Sequence, residues 1–114
     1  MNNKKYKLYT EFKDNVHNIT FGVILLNKKE AEKFAKSENM LVFDGCFDGA
    51  TNNFLFHKTD ANTVAHEAWH GLEYTLLQKR SYSINTEEFN EPLAYYLGFL
   101  VGNIHTCLKS LTNK

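Results

Sequence analysis

Proline occurs once, at Pro92, and cysteine twice, at Cys46 and Cys107. One proline excludes a polyproline or collagen-like chain. Two distant cysteines without Cys-x-x-Cys spacing exclude a disulfide framework and a four-cysteine zinc site, so free thiols in a reducing compartment are expected. An excess of either charge is also missing. Thirteen Lys and Arg balance thirteen Asp and Glu, so no global field draws the chain to nucleic acid or to an anionic membrane surface. No apolar run approaches the length of a membrane span. The first residues, Met1-Asn2-Asn3-Lys4-Lys5-Tyr6-Lys7, lead into alternating residues rather than the apolar stretch of a signal peptide. The expectation is a cytoplasmic protein without nucleic-acid or membrane partners.

What is present is enough for one folded unit. The 114 residues, 43% hydrophobic and 14% aromatic, support a modest core, and residues 1–114 are read as one domain. Residues 6–12 alternate, with Tyr6, Leu8, Thr10 and Phe12 on one side, and predict a half-buried strand. Asp14-Asn15 marks a turn. A second strand over 16–26 puts Ile19, Phe21, Val23 and Leu25 on one face. Asn27 caps a short helix over 28–37. Met40-Leu41-Val42-Phe43 reads as a third strand, and residues 44–52, with Gly45 and Gly49, as a loop. Residues 53–57 read as a fourth strand. Two helices follow, one over about 63–77 and one from about 88–90 to 109, with Pro92 in the first turn of the latter. Strands with one helix, then two long helices, make an α+β domain with an antiparallel or mixed sheet.

The chemistry concentrates in His66-Glu67-Ala68-Trp69-His70. Its flanks are helical, with apolar residues at 64, 65, 68, 69, 72, 76 and 77, and Asp60 or Asn62 can cap the start. Histidines four apart share a helix face and can present ring nitrogens to one metal ion. Glu67, beside the first histidine, suits a general base for metal-activated water. The competing interpretation is an amphipathic helix with two surface histidines. A zinc site of this kind needs a third protein ligand. Glu73, Glu87, Glu88, Glu91 and His105 are available, and Glu91 has the best context, at the start of the last helix within Asn90-Glu91-Pro92-Leu93-Ala94. His17 reads as a strand surface residue, His105 as a residue of the last helix set aside as ligand in favour of Glu91, and Trp69 and Phe99 as core.

The pairing of His66-Glu67-x-x-His70 with Asn90-Glu91-x-x-Ala94 resembles the gluzincin metallopeptidases, the thermolysin-like group. It also looks like the minimal gluzincin-like proteins of phage and prophage genomes. The resemblance implies a zincin-like fold in which His66, His70 and Glu91 bind Zn2+ and Glu67 is the catalytic base and proton shuttle. It implies hydrolysis of a bond in a peptide or protein substrate. It also implies that the strand before the motif helix, here residues 53–57, is an edge strand that pairs with extended substrate. Two features depart from the family. Its histidine-orienting aspartate is replaced by Tyr95, and its C-terminal subdomain with an oxyanion-stabilising residue has no counterpart. Tyr74, Tyr82, Tyr95, His57 and His105 are the substitutes on offer for that oxyanion role. The alternative expectation is a metal-binding phage accessory or regulatory protein of the same fold with little or no proteolytic activity.

Overall fold

The computed structural model describes residues 6–85 and 87–113. Its elements are β1 (Leu8–Asp14), β2 (Ile19–Leu25), α1 (Lys28–Ser37), β3 (Gly45–Asp48), β4 (Asn53–Phe56), α2 (Ala61–Leu72), a π-helical extension (Glu73–Gln78) and α3 (Glu91–Thr112). The strands form one mixed sheet in the order β1-β2-β4-β3. β1 and β2 make an antiparallel hairpin, from Leu8 opposite Leu25 to Asp14 opposite Ile19. β4 runs parallel to β2, with Val23 opposite Phe54, and β3 returns antiparallel, with Phe47 opposite Phe54. A parallel pair needs a crossover, and α1 and β3 lie within it. The α+β class and the mixed sheet agree with the sequence.

Side-chain alternation assigns the two sheet faces. Phe21, Val23, Phe54 and Phe56 point into the main core with Val64, Ala68 and Leu72 of α2 and Leu100 and Ile104 of α3. Ile24 and Leu55 point the other way, where Ala31 and Phe34 of α1 cover them. Each Val, Leu, Ile or Phe among them contributes about 1.5–3 kcal/mol when fully buried. Asn27 caps α1 through a reciprocal box. Its side chain accepts from the Glu30 amide at 2.8 Å, and the Glu30 carboxylate accepts from the Asn27 amide at 3.1 Å.

Two strand assignments change. Residues 40–43 are not a strand. Met40, Leu41 and Val42 are exposed, Leu41 at 90%, and only Phe43 packs, against Phe34. The strand is Gly45–Asp48, inside the expected loop. The turn of residues 49–52, with Asn52 left-handed at φ 56°, folds it back onto β4. Consequently β4 is interior, hydrogen-bonded on both sides. It is therefore not the edge strand expected there, and β3 is the outer strand on that side of the sheet.

Candidate metal centre

Asp60 starts α2 by accepting from the Thr63 amide at 3.1 Å and the Thr63 hydroxyl at 2.7 Å. Val64, Ala68 and Leu72 anchor one face of the helix in the core. The opposite face therefore carries His66 and His70 outward, with side chains 67% and 49% exposed. Trp69, expected in the core, sits between them and is 36% exposed.

The two imidazoles converge, with His66 Nε2 and His70 Nε2 3.2 Å apart. A tetrahedral zinc with Zn–N bonds of about 2.0–2.1 Å spaces two nitrogens by about 3.3 Å. The spacing of the two nitrogens is close to that of a zinc-bound pair and is also that of a direct hydrogen bond between the two rings. The second ring nitrogen of His70 is also engaged, with Nδ1 2.8 Å from Glu73 Oε1.

Glu67 points toward the sheet and is buried, at 6% exposure. Its carboxylate lies 3.9 Å from His66 Nε2 and accepts a hydrogen bond from the Phe47 amide of β3. Burial pushes the Glu67 carboxyl above the usual range. The charges of His66 and His70 and the Phe47 bond pull the other way without cancelling the rise. A raised carboxyl pKa moves a group toward general-base duty near neutral pH. The close approach of β3 depends on Gly45, where a Cβ would fall 2.9 Å from Glu67 Cγ and 2.9 Å from Thr63 Cγ2. Asp44, Gly45, Asn62, Thr63, His66 and Glu67 line a cleft of about 350 Å³ between β3 and the first turns of α2.

Glu91 lies elsewhere. It opens α3 at the exposed surface and lines a separate cleft with Tyr82, Phe89 and Pro92. A Cβ on Gly71 would lie 3.7 Å from Leu100 Cδ1, and Thr75 shares a hydrogen bond with Tyr96. These two matched levels make α2 and α3 antiparallel. With a rise of about 1.5 Å per residue, Glu91 stands on the order of 15 Å along the helices from His70. Among the described residues, no group of three or more His, Cys, Asp or Glu side chains is placed to hold one metal ion. The structure thus brings together His66, His70 and Glu67 and does not bring Glu91 to them.

Comparison with known protein families, with curated proteins and with solved structures finds no match.

Cys46 and Cys107 are free. Burial, and then the nearby Glu67 charge, push the Cys46 thiol up to about 11, so it is no ready thiolate ligand at neutral pH. Tyr95 is 76% exposed. His17 is not a plain surface residue. Its Nδ1–H donates to Asp14 Oδ2 at 2.7 Å, and its Nε2 accepts from the Tyr82 hydroxyl at 3.1 Å. The sequence spacing carries a trace of the contacts of His70 and of His17. Glu73 lies three residues after His70, and His17 three after Asp14, spacings that bring side chains together on a helix or turn. No helix among the described residues is long and apolar enough to cross a membrane.

Proposed function

We propose that the chain is a zinc-dependent peptidase of gluzincin type acting on a peptide or protein. The observation that carries this reading is the convergence of His66 Nε2 and His70 Nε2 to 3.2 Å, beside the buried Glu67 carboxylate. His66 and His70 would hold the ion. The resemblance names Glu91 as third ligand. Its place at the far end of α2 means that the residue 79–90 connection would have to rearrange to deliver it. When bound, zinc supplies Lewis acidity toward a water molecule and the scissile carbonyl. Glu67 takes the proton of the attacking water at its carboxylate and hands it to the departing amine. The Phe47 amide and the packing of Gly45 against Glu67 hold that carboxylate in one position.

Substrate in this reading lies along the open edge of β3. β3 is the outer strand on that side of the sheet and its Gly45 end lines the cleft shared by His66 and Glu67; apart from the Phe47 amide, which donates to Glu67, such an edge recognises extended peptide through backbone hydrogen bonds. The distance of Glu91 favours the second reading, a metal-binding protein of this fold that acts through association rather than hydrolysis. Glu67→Gln decides between them. Under the peptidase reading the variant retains zinc and loses proteolysis of a peptide library that the wild type cleaves. A wild-type chain that carries zinc and cleaves nothing in that library supports the second reading.

A further inference from the structure

A carboxylate oxygen can only accept a hydrogen bond, so the 2.8 Å contact between Glu73 Oε1 and His70 Nδ1 places the imidazole proton on Nδ1. In the neutral ring the lone pair is then on Nε2. That is the nitrogen facing His66 Nε2. Glu73 has no competing cation, since His70 is its only ion-pair partner among the described residues. The nearby Lys79 lies over the Tyr74 ring instead, 5.2 Å from its centroid. The backbone explains the placement. Glu73 is the first residue of the π-helical extension. The extension is pinned by the Thr75 hydroxyl donating to the Gly71 carbonyl at 2.7 Å and by Arg80 donating to the Thr75 carbonyl at 2.9 Å. Single π turns inside helices recur at functional positions.

We infer that Glu73 is the positioning residue of the metal centre, holding His70 in its Nδ1–H tautomer and aiming Nε2 at the ion. The inference rests on the zinc reading above and assigns to the π-helical extension that follows α2 the orienting task that Tyr95 leaves open. Carboxylate partners of this kind tune metal affinity by about 10–100-fold.

The test uses the full chain as wild type, Glu73→Ala and Glu73→Gln, with three readouts. They are the His70 tautomer from long-range nitrogen–proton NMR on metal-free protein at mildly alkaline pH, zinc affinity by chelator competition, and metal-free thermal melting. Wild-type His70 is expected as Nδ1–H. Glu73→Ala redistributes the tautomers and weakens zinc about 10–100-fold, while metal-free melting stays unchanged because the side chain is partly solvated. Glu73→Gln keeps an acceptor oxygen and recovers the tautomer with part of the affinity. An unchanged tautomer and an unchanged zinc affinity in Glu73→Ala overturn the inference and leave the zinc reading standing. A wild-type chain that takes up no zinc overturns both.

Discussion

Asp14 is 4% exposed, and its carboxylate accepts from the Val16 and His17 amides, the His17 ring and the Tyr96 hydroxyl. Burial alone would raise its carboxyl, but the hydrogen bonds from His17 and Tyr96 outweigh it and hold the group below the usual range. A carboxyl depressed in the folded state stabilises fully above the ordinary carboxylate range, and that contribution is lost as pH falls through the depressed value. Asp14→Ala leaves the Tyr96 hydroxyl and two amides without their acceptor. It is expected to cost about 2–4 kcal/mol in denaturant unfolding at neutral pH, with the deficit shrinking in acid. Glu67 has the opposite sign. Its raised carboxyl makes the metal-free fold lose stability as pH rises through and above the usual carboxylate range. Glu67→Gln is therefore expected to stabilise the metal-free protein at neutral pH and not at acid pH, as compared by urea unfolding.

Elements were legible where local chemistry and burial agree. α1 runs from Lys28 to Ser37 as expected because Asn27 and Glu30 form a cap that needs nothing from the rest of the fold. α2 and α3 were legible from their apolar stripes, though the conversion of α2 to a π-helix at Glu73 leaves no mark in hydrophobic spacing. β3 was hidden because Gly45, Asp48 and Gly49 carry turn chemistry, and its pairing depends on a strand partner rather than on its own composition. Residues 40–43 misled for the converse reason: four apolar residues in a row satisfy a strand pattern but find no neighbour to bury them. Of the candidate site, the shared helix face of His66 and His70 could be read from spacing alone. The position of Glu91 could not, because it depends on the register between α2 and α3. Gly71 shows how tight that layer is, since a Cβ there would fall 2.5 Å from Cζ of the buried Phe54. Gly71→Ala is expected to destabilise by about 1–3 kcal/mol, measured by thermal or urea unfolding.

Taken as a molecule, the sheet buries α1 on one face and α2 and α3 on the other, and the outward side of α2 is left with two convergent imidazoles. Such a pair gains most from a ligand that binds only the folded state. At a free zinc concentration one hundred times Kd the gain is about 2.7 kcal/mol. The thermal midpoint is expected to rise with zinc and fall with chelator, and the double variant His66→Ala/His70→Ala is expected to respond to neither. The most direct test of the metal centre is elemental analysis of the purified chain beside that double variant. About one zinc per wild-type chain is expected, removed by chelator and missing from the variant. Wild-type protein without metal, with a melting temperature indifferent to zinc and chelator, would contradict it.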